Sequence, residues 1–375
     1  MQIRIRNFGP IKSFDLDLSK KFTVIFGKNN IGKSYSTSVT YLILKNLMKF
    51  GYEKLDANLT EFGESFRESF YATYEDIGNL TNRFSQKGMK LVLCTDALEL
   101  TIESDGKKLL FHNVATAGNK LTGSPDISHI HYLPASRSGL YQALSAFSQI
   151  FAELSRSRGF LKKKVDIPSI PEPVSDYFLG LSAIRKRETE DDNEILRLVR
   201  EMEKNILKGE VHFNEETKQM VYTPCHTDLS LDMSLTSSMV SELSPVVSYL
   251  KYIVASADGT SIIFIEEPEA HLHPETQVRL MEIFAELVRA NVRIVMTSHS
   301  SYMFNKMNNL ILDKKIDPET TGTVVFKHTD EGSVGTYVST DELGADDENF
   351  LDVAEKLFNE KLELVEKLDT GERAE

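Results

Sequence analysis

The stretch Ser261 to Pro274, SIIFIEEPEAHLHP, constrains this chain more than any other. Ile262-Ile263-Phe264-Ile265 is an apolar run without alternation, which predicts a strand buried on both faces of a parallel sheet. In open α/β sheets ligands gather just beyond the carboxyl ends of the strands, so Glu266 and Glu267 are delivered to the place where chemistry is done. Two adjacent carboxylates are costly there without a positive partner. The rest of the chain has to supply one.

The N-terminal end does so. Residues 2–8, QIRIRNF, and 13–18, SFDLDL, alternate polar and apolar around the turn FGPI, which predicts a β-hairpin with one wet face. Phe22 to Phe26 is a third, more apolar strand that stops at Gly27. The next eight residues, Gly27-Lys28-Asn29-Asn30-Ile31-Gly32-Lys33-Ser34, fit G-x-x-x-x-G-K-[ST], and Tyr35 to Phe50 is helix-compatible up to Gly51. Strand, loop and helix in this order make a phosphate-binding loop. Gly27 and Gly32 let successive N–H groups turn toward an anion, Lys33 reaches the β- and γ-phosphates, and the Ser34 hydroxyl ligates magnesium. The expected ATP-contacting set is Gly27, Asn29, Asn30, Gly32, Lys33, Ser34 and Tyr35. A phosphate-bound magnesium ion between Ser34 and Glu266 answers the charge problem of the paired glutamates.

Between these ends the pattern changes several times. Glu53 to Arg83 is polar and partly helical; Lys90–Cys94, Leu98–Ile102 and Leu109–Val114 are strand candidates parted by turns such as Ser104-Asp105-Gly106, an antiparallel β lobe. His131 to Gly139 is a short strand that breaks at Pro134 into a polar loop. Its Arg137 has two open roles, neutralising ligand charge or pairing with a neighbouring carboxylate. Residues 140–210 are mostly helical, with a Pro-rich break from Ile167 to Pro173 and a charge-dense helix from Arg185 to Lys208 whose mixed signs read as a solvated face. After a hairpin-like stretch, Glu210 to Cys225, the segment Leu229 to Leu235 alternates again. Thr236-Ser237-Ser238 then opens an apolar helix to about Ala255, either as helix caps or as an anion contact. Residues 275–289 form an amphipathic helix. Val292 to Met296 is a second buried strand ending in Thr297-Ser298-His299-Ser300, and His299 there is open between two roles, a γ-phosphate sensor or a satisfied structural histidine. Two strands, Thr323–Lys327 and Gly335–Ser339, precede an acidic helix from Asp346 to Leu368.

Four segments follow: residues 1–137, the N-terminal part of the core with the β lobe; 138–228, a helical lobe; 229–345, the C-terminal part of the core; and 346–375, the acidic helix. The fold class is α/β, a mixed and largely parallel core sheet flanked by helices. With 41% apolar and 26% charged residues the chain has an ordinary globular composition, and no run of about 18 apolar residues predicts a membrane span. The opening MQIRIRNFGP lacks the apolar centre of a signal peptide, so a cytoplasmic location is expected. Cys94 and Cys225 build no disulfide framework, and His271, His273, Cys225 and His226 lack the spacing of a zinc site. A net charge of −13 argues against a surface that is one nucleic-acid cradle.

In its order of motifs the chain resembles the ABC-type ATPases of the RecF, OLD and structural-maintenance-of-chromosomes group, with GKNNIGKS and FIEEPEAHLHP close to that group's Walker A and Walker B forms. The resemblance covers roughly residues 1–50 and 229–305. It implies that Glu266 holds magnesium through water, that Glu267 orients and deprotonates the attacking water, and that His299 contacts the γ-phosphate. Glu269 to Pro274 fall in the D-loop region. Ser237 and Ser238 sit where the signature motif reaches the ATP of a second subunit, which implies a head-to-tail homodimer with two ATP molecules at its interface. The usual signature glycines are absent, since Met239 and Val240 follow the serines. Gln142 is the candidate for the Q-loop. The stretch after His299 is too short for the Toprim nuclease domain of OLD proteins, so the chain is expected to resemble the stand-alone ATPase subunits of prokaryotic anti-phage defence pairs. Two other readings stay open: a DNA-repair or DNA-tethering ATPase that clamps duplex, and a scaffold that binds ATP without turnover.

Overall fold

The computed structural model describes residues 1–51, 58–76, 80, 88–95, 98–104, 106–115, 126–143, 170–184, 193–214, 219–346 and 351–369. The turn residue Asp105, the first three residues of the Pro-rich break (167–169) and the first part of the charge-dense helix lie outside the described residues. The chain opens with strands β1 (Gln2–Phe8), β2 (Ile11–Asp17) and β3 (Phe22–Phe26), then helices α1 (Lys33–Phe50) and α2 (Leu59–Tyr74). Strands β4 (Met89–Cys94), β5 (Leu98–Ser104), β6 (Leu109–Ala115) and β7 (His129–Leu133) come next, then α3 (Glu172–Ser182) and α4 (Glu194–Glu201). A small antiparallel sheet of β8 (Gly209–Asn214), β9 (Gln219–Pro224) and β10 (Leu231–Asp232) precedes α5 (Ser238–Tyr252). The core then continues through β11 (Ser261–Glu266), α6 (Pro274–Arg289), β12 (Arg293–Ser298), α7 (Ser301–Leu312), β13 (Thr321–Thr329) and β14 (Gly332–Val338). Short strands β15 (Thr340–Asp341) and β16 (Gly344–Ala345) lead to α8 (Leu351–Asp369).

Eleven strands make one mixed sheet in the order β6-β5-β4-β1-β2-β14-β13-β3-β12-β11-β7. Its central block, β13, β3, β12, β11 and β7, is parallel throughout. The non-alternating apolar runs explain this: each such strand has two buried faces, and helices cover both. Ile263 and Ile265 of β11 face one core with residues of α3 to α7; Ile262 and Phe264 face a second with α1 and α2. In α2 the rings of Phe62, Phe66 and Phe70 recur every fourth residue and are fully buried, and the first two meet the edge of Phe111 on β6. Each buried ring stabilises the fold by about 1.5–3 kcal/mol.

Three expectations are refined. The antiparallel strands of residues 89–115 continue the core sheet, because β4 pairs with the free edge of β1 in the register Ile5↔Leu91. An unpaired edge there would expose a row of backbone donors and acceptors. Leu229 to Leu235 forms only the two-residue β10, since the Asp232 carboxylate accepts from Ser234 N at 2.8 Å and turns the chain into a 3₁₀ segment. The charge-dense helix is not solvated all round. It starts at Asn193, whose side chain caps Leu196 N, and passes into a π-helical turn, Met202–Leu207. Glu203 in that turn is buried and accepts from Lys251 Nζ at 2.9 Å and Val211 N at 3.0 Å. Among the described residues no helix is long and apolar enough to cross a membrane.

Candidate active site

Register brings the site together. Glu266 of β11 lies beside Thr297 of β12, Ser298 beside Phe26 of β3, and Ile265 beside Leu133 of β7. Since all four strands run the same way, the loops after Phe26, Leu133, Glu266 and Ser298 leave from one edge of the sheet. The motif residues Gly27 to Ser34, the Pro134 loop, Glu267 and His299 therefore share that edge.

The loop from Gly27 is shaped for an anion. Asn30 has a φ of 60° and Gly32 a φ of 100°, left-handed conformations that turn the chain sharply before α1. A Cβ on Gly32 would come within 2.7 Å of Ile11 Cγ1, so only glycine fits there. Helix α1 starts without a side-chain cap and without an acidic residue in its first turn, which leaves its N–H groups to an incoming negative charge. Lys28, Asn29, Asn30, Ser34 and Tyr35 are exposed. The Tyr35 ring stacks on Tyr74 at 5.9 Å. Lys33 is buried, and its Nζ donates to the Gly27 and Lys28 carbonyls, each at 2.8 Å. Burial lowers its pKa, against the opposing pull of Glu267, Glu269 and Glu266. A buried ammonium resting on loop carbonyls is a cation poised for a stronger anion.

The acidic side meets this loop through α1. Thr37, one turn beyond Ser34, has its Oγ1 3.4 Å from Glu266 Oε1 and 3.3 Å from the Tyr132 hydroxyl. Glu266 Oε2 accepts from Ala135 N at 3.3 Å. Glu267 has a φ of 40°, rare for a residue with a side chain; its N–H donates to the Thr297 carbonyl at 3.0 Å. Its carboxylate lies 3.8 Å from His299 Nδ1. Glu269 is buried, and its Oε1 accepts from Ser298 Oγ at 2.7 Å and His299 N at 2.8 Å, with His299 Nδ1 3.5 Å away. Its other oxygen has no hydrogen-bond partner among the described residues. Residues 1–124 and 135–304, which hold the Gly27 loop, Thr37, Glu266, Glu267, Glu269 and His299, match the family described as AAA ATPase domain.

The chain belongs to this family, AAA_15. It is an ATPase, an enzyme that binds and hydrolyses ATP. No curated protein matches its sequence. Among solved structures, a structural-maintenance-of-chromosomes (SMC) head bound to the C-winged helix domain of ScpA is 12% identical, with a TM-score of 0.50 over 90% of the ATPase and 97% of the head. The SMC head domain of Thermotoga maritima is also 12% identical, covering 90% and 98%, with a TM-score of 0.43. An SMC head from Pyrococcus furiosus with an extended coiled coil, bound to the C-terminal domain of ScpA, is 16% identical, covering 96% and 98%, with a TM-score of 0.46. The first likeness shows that the ATPase has the SMC-head type of P-loop fold.

Ser237, Ser238 and Gln142 are surface positions of the ATPase. Ser237 caps α5, its Oγ accepting from Val240 N at 3.3 Å, and both it and Ser238 are exposed. Gln142 is exposed on the helical segment 137–143. Arg137 takes the second of its two open roles. It is fully buried and pairs with Glu242 at 3.1 Å. Thr37, Thr297 and Glu242 are absent from the sequence-based site. Glu242 carried a signal, being the one charged residue between Met239 and Leu250, a run otherwise of apolar and small residues, and a buried charge demands a partner. Among the described residues no group of three His, Cys, Asp or Glu side chains is arranged to hold a metal ion.

Proposed function

We propose that the ATPase is a nucleotide-driven dimer switch that controls a separate effector protein, as the ATPase subunit of a prokaryotic defence pair. The observation that carries the nucleotide half is the meeting of Lys33, Glu266, Glu267 and His299 on one sheet edge, with Thr37 joining the two motifs at 3.4 Å. Lys33 exchanges its loop carbonyls for the β- and γ-phosphates, and the α1 N–H groups complete the cradle with Gly27, Asn29, Asn30, Gly32 and Tyr35. Ser34 and Glu266 present hard oxygen donors of the kind that suit magnesium, which would neutralise phosphate charge when bound. Glu267 takes a proton from water as its oxygen attacks the γ-phosphorus in line; the bond to the bridging oxygen breaks, and ADP and phosphate leave. His299, held by Glu269, faces the γ-phosphate.

The dimer half rests on the exposed Ser237 and Ser238 at the N-terminus of α5, a place whose hydroxyls and backbone N–H groups suit the ATP of a facing copy. The SMC head of similar fold was crystallised with a ScpA domain, which fits a protein partner on a head of this kind. The test is Glu267→Gln. It keeps an isosteric side chain but no general base, so ATP affinity is retained, turnover falls at least about 100-fold, and the ATP-bound dimer accumulates in sedimentation. Hydrolysis at the wild-type rate would remove Glu267 from its role.

A further inference from the structure

We propose that Arg137 and Glu242 form a positioning unit that couples the seating of α5 to the placement of Glu267. The inference rests on the reading of Glu267 as the base and of the α5 N-terminus as the contact with a partner's ATP. Arg137 donates through Nη1 to the carbonyls of Pro134, at 2.9 Å, and Glu266, at 2.7 Å. Through Nη2 it donates to the Glu267 carbonyl, at 3.2 Å, and meets Glu242 Oε1 at 3.1 Å. Its Nε donates to the Glu242 carbonyl at 3.3 Å. A guanidinium carries its N–H donors in a rigid fork, and here four hydrogen bonds and the ion pair to Glu242 engage all three of its nitrogens. The Glu242 carboxylate in turn accepts from the backbone N–H groups of Arg137, at 3.0 Å, and Ser138, at 2.9 Å. Neither side chain has any exposed surface.

This is more wiring than a packing contact needs. Two of the carbonyls that Arg137 grips, those of Glu266 and Glu267, flank the Cα of the left-handed Glu267, a conformation that costs about 1–3 kcal/mol and persists only where its surroundings hold it. Thr297 holds the N–H of that residue and Arg137 its carbonyl. On the other side, Glu242 lies one helical turn from Ser238, about 6 Å along the axis of α5. A shift of α5 when its serines engage a second copy's nucleotide therefore moves the carboxylate that anchors Arg137. The strained Glu267 backbone moves with it. Water is oriented for attack only when both copies are seated, which ties turnover to dimer closure.

Single replacements that remove one charge leave the other buried and uncompensated and lower stability, so the test uses two gentler variants. Arg137→Lys keeps the charge but one ammonium replaces the fork. The double variant Arg137→Met, Glu242→Gln removes both charges and leaves an amide oxygen for the Ser138 N–H. The expected result for each is a folded protein with ATP affinity within about threefold of wild type, because the Gly27 loop is untouched. Single-turnover hydrolysis falls about 10- to 100-fold, the scale of a misplaced reacting group of about 1 Å. The double variant is slowed about as much as Arg137→Lys, since either change breaks the same link. A folded double variant that hydrolyses at the wild-type rate overturns the inference. If the double variant does not fold, the Arg137→Lys rate decides by the same criterion. Glu267→Gln measured alongside separates the two claims. An inactive Glu267→Gln with wild-type rates in the other variants sinks only the coupling, whereas an active Glu267→Gln sinks the site reading beneath it.

Discussion

Replacing Gly32 by alanine isolates the backbone requirement of the phosphate loop. At φ 100° an L-residue is strained by about 1–3 kcal/mol. The added Cβ would also press on Ile11 Cγ1 at 2.7 Å and Pro10 Cγ at 3.1 Å. Ile11 is fully buried and pairs with Phe8 in the first hairpin, so it has little room to give, and overpacking of this kind costs about 1–3 kcal/mol. Together these predict a loss of roughly 2–6 kcal/mol from a total stability on the order of 5–15 kcal/mol. The assay is urea unfolding without nucleotide, read as a shift of the midpoint. Gly139→Ala is the control, because a Cβ there meets nothing within 4 Å and its helical segment 137–143 favours alanine by about 0.5–1 kcal/mol. Adding Ile11→Ala to Gly32→Ala removes the atom that is struck, so the double variant is less destabilised than the sum of the two singles. An unchanged midpoint for Gly32→Ala, or strict additivity with Ile11→Ala, refutes the reasoning.

Two further outcomes follow from buried cations and bases. Lys33→Ala removes an ammonium that burial disfavours, so apoprotein stability stays within about 1 kcal/mol of wild type while calorimetry shows ATP binding lost. His131 on β7 packs its ring edge against Tyr249 at 5.5 Å, with Nε2 buried and unpartnered among the described residues. Burial, reinforced by His129, lowers its pKa to about 4. An unfolded histidine protonates near 6.5, so between about pH 6.5 and 4 the unfolded chain binds the extra proton, and stability falls as pH falls. The contribution is at most about 3 kcal/mol, and His131→Phe should flatten the stability curve across that window in unfolding experiments at stepped pH. An equally steep curve in the variant would show that the ring is not the group responsible.

Much of the site was legible because its parts are local. The Gly27 to Ser34 loop, the apolar strand into Glu266 and Glu267, and the strand into His299 each follow from residue types at fixed spacing, and each appears where its pattern places it. Strand ends were harder, as β10 illustrates, where one Asp232 hydrogen bond ended an alternating run early. Arg137 stayed open between two roles because a lone arginine at a strand end reads the same in either. Glu242 is 105 residues away in the chain, and nothing local joins them. Glu269 shares this difficulty. Its contact with His299 needs β11 and β12 to be neighbours, a matter of strand order.

What the residues alone decide is the chemistry on offer: an anion cradle, a cation inside it, and carboxylates at the end of a buried strand, all short-range consequences of backbone freedom and hydrophobic pattern. What the tertiary structure decides is alignment. Parallel pairing of β7, β11, β12 and β3 in one register brings four distant loops to a single edge. Burial of Arg137 with Glu242 then ties the α5 helix to that edge. Both depend on contacts between segments that are far apart in the chain, and the free energy of such contacts exists only once the sheet has closed around its two cores.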